Sequence, residues 1–440
     1  MENYYCLNLK FKDARISSKI HHAHLFASDE EIYFQIIDND KNSRLDNLFF
    51  SSNNSLGLFE ENFEIVDSEI KMLTKKSKIC KGQSFQNDSK NNYFTVYITN
   101  ICFIKSNIHQ QNVNEGSTFL CYNGLKVVNL FYSFFCNVIE KNTFSISRMN
   151  GMSDFYEIKN MIFRPELEFT NNEERNSEEF TIKKIPTINF RFENLKYDEI
   201  QKYNQIICCF LSFCYGIRIT INKLIYRTEK EIFIYRNTEP NNKIYVSNFL
   251  LVFNFLKSNY SIEKILKTNW FDNFLEKEAK MSKAIDNYLH SREVNLSASY
   301  LLLFNIIEIF NINQKQESFE FNQLKDENFK KAFKFIQQAL LNDNDLHLLE
   351  DKWNGLINKI SIKPLKSPLE ETLRLNNIQP NDFGYSFKKL KETRDKLTHG
   401  SVNSIKEKDL KKQVNCLRII SICIILANLG FKDDLKINAE

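Results

Sequence analysis

The stretch "KKLKETRDKLTHGS", Lys388 to Ser401, sets an arginine and a histidine five positions apart and puts a glycine directly after the histidine. Phe383, Phe387, Leu390, Arg394 and Leu397 follow the 4-3-4-3 spacing of one helical stripe, so the segment reads as an amphipathic helix. Arg394 stands where that stripe would otherwise be apolar. A guanidinium there must be paired, face an interface or reach a cleft, because a buried, unpaired charge is costly. The plainer reading places Arg394 at the stripe's edge, snorkelling to water. His399 is off the stripe: five residues at about 100° each put it roughly 140° around from Arg394. One regular helix therefore does not bring the two side chains together. Either the helix ends near Thr398, with Gly400 as its left-handed cap, or the groups converge across a symmetric dimer.

Spacing by itself carries little weight. With 13 arginines and 7 histidines in 440 residues, roughly 0.2 such pairs arise by chance at one fixed spacing. "RISSKIHHAH" supplies a decoy, with Arg15 six residues before His21 and seven before His22. His21, His22 and His24 lack a neighbouring Cys, Asp or Glu at ligand-like spacing, so a strand end or loop is preferred there to a metal tract.

Outward from the motif the chain is helical as far back as about residue 241. Expected helices are Tyr245–Ser258, Ser261–Arg292, Leu296–Asn313, Glu327–Asn342, Asp345–Lys359, Ser367–Asn377, Asp382–His399 and Lys406–Leu429, with prolines 364, 368 and 380 at breaks between them. "NTEPNN", Asn237 to Asn242, reads as a linker. Before it strands dominate. "NYFTVYITN" alternates Phe94, Val96 and Ile98 against Tyr93, Thr95, Tyr97 and Thr99, as a half-buried strand does. "TINFRFEN" puts Ile188, Phe190 and Phe192 on one face, and "KLIYRTEKEIFIYR" reads as a hairpin turning at Glu229 and Lys230. "YDEIQKYNQIICCFLSFCYG" is a helix closed by Gly216. "LKVVNLFYSFFCNVIEK" fits either a helix or a buried strand, and residues 171–179 form a polar loop. The expected fold is α+β: a β-rich domain over 1–240 followed by an all-α bundle over 241–440.

Composition is that of a soluble globular protein, 42% hydrophobic and 26% charged. The N-terminal "MENYYCLNLKF" lacks the basic and apolar regions of a signal peptide. The apolar runs Ile206–Tyr215 and Ile419–Leu429 fall short of the roughly 18–20 residues a membrane span needs. A cytoplasmic protein without membrane association is expected. Ten scattered cysteines without a C-x-x-C pair read as reduced core residues. Net charge is only +4, but Gly384–Lys412 alone carries nine basic and four acidic groups. Such a field can concentrate a polyanion, or can simply be a solvated lysine face.

These residue types suit metal-free RNA cleavage. A base must take the 2′-hydroxyl proton, an acid must protonate the 5′-oxygen, and a cation must stabilise the phosphorane. Histidine can fill the first two roles and arginine the third. One chain offers one such histidine, whereas a two-fold dimer supplies two.

The helix ending "RDKLTHG", with the polar turn and the apolar helix "LKKQVNCLRIISICIILANLG" after it, resembles the HEPN superfamily, nearest its Apea-like branch of bacterial abortive-infection proteins. Arg394, Asp395, His399 and Gly400 fit that branch's motif, with Asp395 in place of the more frequent asparagine. "LSASYLLLFNIIEIFN" resembles its first core helix, and "IQKYNQIICCFLSFCYGIRITINKLIYR" the end of the accompanying β-rich domain. The resemblance implies a four-to-five-helix bundle, a homodimer or higher assembly, and metal-independent endoribonuclease activity. That activity would leave 2′,3′-cyclic phosphates on RNA, possible tRNA included, and arrest growth during phage infection. Arg394 and His399 are then the catalytic pair and Asp395 its support. Glu308, in the apolar "NIIEIF", is a candidate partner of Arg394, although sharing a face with Asn305 and Asn311 also suits plain exposure. Lys388, Lys389, Lys391 and Lys396 are candidate RNA contacts. No metal and no cofactor is expected, and the β-rich domain is the expected place for a phage-derived trigger. The alternatives are an inactive HEPN module that binds RNA or a protein partner, and a pure scaffold.

Overall fold

The computed structural model describes residues 3–12, 19–27, 31–38, 63–66, 70–72, 79–86, 92–107, 114–137, 143–149, 152, 155–173, 180–238, 252–256, 261–311, 331, 334–335, 366–400 and 405–435. The chain divides into two compact units. One comprises Met1–Leu251 with Ser261–Phe271, and the other Val252–Tyr260 with Asp272–Glu440. Antiparallel sheets precede helices, so the fold is α+β.

The first unit is built on two large antiparallel sheets. A six-stranded sheet runs in the order Phe63–Val66, Asn3–Phe11, Ile20–Ala27, Ile32–Asp38, Asn92–Ile98, Ile79–Gln86. Its alternating Leu9, Leu25, Phe34, Phe94 and Val96 are buried and join Ile101, Phe103 and Ile234 in one core cluster. An eight-stranded sheet runs in the order Tyr156–Ile158, Met161–Glu173, Phe180–Phe192, Glu115–Leu120, Ile221–Arg227, Glu231–Asn237, Asn100–Ser106, Ile70–Met72. Ile188, Phe190 and Phe192 line one buried face of it, as their period-2 spacing requires. Gly116 has to be glycine, because a Cβ there would collide with the Phe190 ring and lie 2.6 Å from the Ile225 carbonyl oxygen.

Among the described residues this unit has two helices, α1 (Gly124–Val128) and α2 (Tyr197–Tyr215), and a third, α3 (Ile262–Leu266), joins it through the chain's return. Helix α2 ends on Gly216 in the left-handed conformation, φ +59°. It is tied to the eight-stranded sheet by Thr118, whose hydroxyl donates to Asn204 Oδ1. "LKVVNLFYSFFCN" divides between both expectations: α1 and a 3-10 turn are followed by the strand Tyr132–Asn137. Residues 171–173 of the expected polar loop belong to the strand from Met161, and 174–179 lie outside the described residues. The histidine tract lies within the strand Ile20–Ala27. His22 Nδ1 is 2.8 Å from Asn8 Oδ1, and His21 is buried.

The expected long helix Ser261–Arg292 is broken into α3, α4 (Trp270–Glu276) and α5 (Glu278–His290). The first break has a local cause: the Thr268 hydroxyl takes the Ile265 carbonyl at 2.8 Å, competing with the helical ladder. Trp270, at the start of α4, stacks on Phe210 of α2 at 3.8 Å between centroids.

The second unit continues with α6 (Leu296–Ile309), α7 (Lys366–Leu375), α8 (Phe387–Thr398) and α9 (Glu407–Leu426). Helix α6 is central and packs against α5, α7, α8 and α9. The expected helix Asp382–His399 is two pieces: a 3-10 turn Pro380–Phe383, left-handed Gly384 at φ +84°, and then α8, capped by the Ser386 side chain. Phe383 therefore is not part of the α8 stripe. Helix α9 runs into a π-turn at Ala427–Phe431. By length and composition the segment Glu407–Asp434, which contains an 18-residue window of mean hydropathy 1.9, could cross a membrane, but 67% of that window is buried within the protein. Of the helices expected at Tyr245–Ser258 and Glu327–Asn342, only Val252–Leu256 and Lys331, Lys334 and Phe335 are among the described residues. Asp345–Lys359 lies outside them. Cys6, Cys102, Cys121, Cys208, Cys209, Cys214, Cys416 and Cys423 are free thiols, six of them buried.

A buried polar network locks α8 and α9 to α6. The Tyr300 hydroxyl donates to the Leu390 carbonyl at 2.7 Å, and Gln413 Oε1 lies 3.2 Å from it. Gln413 Nε2 donates to Asp409 at 2.9 Å, and Asp409 also accepts from the Tyr385 hydroxyl at 2.9 Å. Thr393 completes the ring of partners around the Tyr300 oxygen. Burial pushes the Tyr300 phenol far above its ordinary value, so it remains a donor. Removing a buried partner strands the others at about 1–3 kcal/mol. Tyr300→Phe is accordingly expected to lower stability by that amount in urea-melt measurements, whereas Phe335→Ser, at an exposed position, should change it by less than about 0.5 kcal/mol.

Candidate active site

Helix α8 ends as its glycine predicts. Thr398 is the last helical residue and His399 is the C-cap, with φ −92° and ψ 12°. Gly400 follows at φ +77°, a conformation a side chain would strain. The His399 amide still reaches the Asp395 carbonyl at 3.0 Å, so its backbone stays tied to the last turn. The side chain is exposed, and no side chain among the described residues hydrogen-bonds to its ring. Both nitrogens are thus open to a ligand.

Arg394 is neither buried nor snorkelling. Thr393, one residue earlier, takes the fully packed position at 3% exposure, and the stripe turns so that Arg394 lies at its margin with 27% of its side chain exposed. Its Nη2 donates to Glu308 Oε1 at 2.9 Å and its Nη1 lies 3.4 Å from Asp395 Oδ1. The guanidinium sits 6.0 Å from the centre of the Phe304 ring, within cation–π range. Glu308 is drawn inward to this pair, with 23% of its side chain exposed; the solvent-facing alternative does not hold. Asn311, expected on the same outward face, is buried.

Asp395 is shared. Lys391 Nζ is 2.6 Å from its Oδ2, one helical turn back, while Arg394 approaches Oδ1. Partial burial pushes the carboxyl up, but the hydrogen bond and charge of Lys391, followed by those of Arg394, outweigh it and hold the group below the usual carboxylate range. Lys391, Asp395, Arg394 and Glu308 thus form one chain of alternating charge. The other lysines are arranged differently. Lys388 reaches Glu392 only at 4.0 Å, and Lys389 and Lys396 point to solvent. Lys406, Lys408, Lys411 and Lys412, at the start of α9, are exposed as well. Among the described residues no group of three His, Cys, Asp or Glu side chains is placed to hold a metal ion.

The structure brings together Glu308, Lys391, Arg394 and Asp395; His399 stands at the end of the same helix with no side-chain hydrogen bond to them among the described residues. Sequence reasoning named Glu308 but missed Tyr300 and Phe304, which help to aim this cluster. Tyr300, Phe304 and Glu308 recur every four positions and therefore share one face of α6. That face meets α8 through the Leu390 carbonyl, the Phe387 ring at 6.0 Å and Arg394 in turn. The four-residue period was the available signal.

Residues 301–435 match the family model of Apea-like HEPN domains, and the matched region contains Glu308, Lys391, Arg394, Asp395 and His399. Comparison with curated proteins and with solved structures gives no significant match. HEPN domains are commonly ribonucleases, and the match points to a HEPN-type role in defence. An arginine-to-histidine motif closing one core helix, braced by a carboxylate from the helix beside it, thus lies in the region of the chain that matches the Apea-like HEPN family.

Proposed function

We propose that this protein is a metal-independent endoribonuclease of anti-phage defence. The observation that carries the reading is the end of α8, where Arg394 is braced by two carboxylates and His399 is exposed at the helix cap with an unengaged ring. In the proposed reaction a histidine removes the proton of a ribose 2′-hydroxyl. The 2′-oxygen attacks the adjacent phosphorus, and the bond to the 5′-oxygen breaks as that oxygen is protonated. The products are a 2′,3′-cyclic phosphate and a 5′-hydroxyl. Arg394 stabilises the charge that accumulates on the phosphoryl oxygens, where preorganised donors are worth most. Each chain supplies one histidine at this site, so the base and the acid come from two copies about a two-fold axis. Lys388, Lys389 and Lys396 contribute a solvated basic rim that draws in RNA, tRNA included. The β-rich unit is the proposed place for a phage-derived trigger, and the cytoplasm the proposed compartment.

Asp395 brings a negative charge next to the proposed phosphate site. Lys391 offsets it, leaving a neutral pair that orients Arg394. The crowding of carboxylates about Arg394 favours a second reading, an RNA-binding module without cleavage.

Total RNA incubated with the chain in EDTA separates these readings. Wild type is expected to produce cyclic-phosphate ends, with Arg394→Ala and His399→Ala at least about 10²-fold slower. RNA binding that survives His399→Ala, without cyclic ends from any variant, would establish the second reading. Removing Lys391 is expected to raise the Asp395 carboxyl toward the ordinary aspartate value. The depressed group keeps its charge as pH falls to below that value, and in Lys391→Met it takes up its proton at higher pH. The carboxyl carbon shift of Asp395 in acid titration reads this directly. Cleavage lost in Lys391→Met is expected to return in the double variant Lys391→Met/Asp395→Asn.

A further inference from the structure

The eight-stranded sheet carries a second concavity of about 390 Å³, within the first unit and unrelated to the helical site. Its position follows from strand alternation. Thr118 points to α2, so its neighbours Ser117 and Phe119 face the opposite side of the sheet. On that side the strand registers set Arg164, Asn189, Ser117 and Ile225 in one cross-strand row, and Arg191, Glu115 and Arg227 in the next. The short side chains of Ser117 and Asn189, hydrogen-bonded to each other at 2.8 Å, make the floor. The longer arginines make the walls.

The choice of arginine is informative. The chain has 46 lysines and 13 arginines, yet the cations lining this concavity are Arg164, Arg191 and Arg227. Arginine differs from lysine in its planar fork of donors, which matches phosphate oxygens two at a time. Two of the three are set in place by one ring: the guanidinium carbons of Arg164 and Arg191 lie 4.9 and 5.3 Å from the centre of Phe155. Arg164 is already neutralised by Glu166 at 2.7 Å. Arg191 and Arg227 have no ion pair among the described residues, although Glu115 lies between them in the row. Glu115 and Glu168 also line the hollow and match Arg191 and Arg227 in number, but among the described residues neither is ion-paired with these two arginines, whose forks stay open toward it. The volume falls within the range of small-ligand pockets, roughly 300–1,000 Å³.

We infer that this concavity binds a small phosphorylated ligand of up to mononucleotide size, with the phosphoryl group held between Arg191 and Arg227 and hydrogen-bonded by the floor. This site is independent of RNA cleavage, and its test reads binding alone.

Isothermal titration of the full chain with AMP, inorganic phosphate and adenosine decides the matter. AMP is expected to bind at least tenfold more tightly than adenosine, and Arg191→Gln/Arg227→Gln to weaken AMP at least tenfold. Both side chains are exposed, so the double variant should retain the wild-type circular dichroism. Arg218→Gln, outside the hollow, is the control and should bind AMP as wild type does. Inorganic phosphate that binds with the same arginine dependence also supports the site. Absence of binding by both phosphate-bearing probes would overturn it, as would AMP affinity unchanged in the double variant.

Discussion

The hydroxyl of Tyr300, buried and donating to the Leu390 carbonyl, sets where α8 can lie on α6. Two helices packed only through leucine and phenylalanine can slide or rotate by fractions of a turn at little cost, since apolar contact is not directional. A buried hydroxyl with a single good acceptor removes that freedom, because any slip leaves polar atoms unmatched. Arg394 lies one turn beyond Leu390, and Glu308 two turns beyond Tyr300. Fixing the first pair brings the second within 2.9 Å. Gln413 extends the same constraint to α9, so the helix before the motif and the helix after it are both referred to one phenol.

Much of this was legible in the residues, but unevenly. Period-2 alternation located the strands containing Phe94, Val96 and Ile98 and Ile188, Phe190 and Phe192, and glycine located the ends of α2 and α8. These signals are local: each depends on the conformation of a few consecutive residues. The division of the Ser261–Arg292 and Asp382–His399 helices escaped because Thr268 and Gly384 act against a continuing helical pattern, and pattern counting averages over single residues. Strand order was out of reach for a different reason. Glu115–Leu120 pairs with Phe180–Phe192 and Ile221–Arg227, strands at least 60 residues away in the chain, and no short window contains such a pairing.

The stripe argument about Arg394 shows the same limit at the scale of one side chain. Ideal spacing put the arginine inward, whereas the helix rotates slightly and seats Thr393 instead. Threonine can do this because its one polar atom finds the Tyr300 oxygen. A guanidinium in that seat would have needed several partners in a place that offers few. Arginine at the margin keeps carboxylate on one side and solvent on the other, as the proposed contact with a phosphate requires.

Electrostatic balance follows from this placement. Lys391, Asp395, Arg394 and Glu308 are formally neutral as a set, so the cluster itself exerts little long-range pull on a polyanion. In the proposed reaction, attraction at a distance falls to the exposed lysines of α8 and α9, whose charges are solvated and screened within about 8 Å at physiological salt. In that same reaction recognition at contact falls to Arg394, whose fork of five donors is only partly occupied by Glu308 and Asp395. The two tasks respond differently to substitution. Neutralising a rim lysine weakens encounter and flattens the salt dependence, while disturbing Glu308 or Asp395 changes the direction in which one guanidinium points. A sequence rich in lysine hides that distinction, because the packing beneath Arg394 is what separates it from the exposed lysines of α8 and α9.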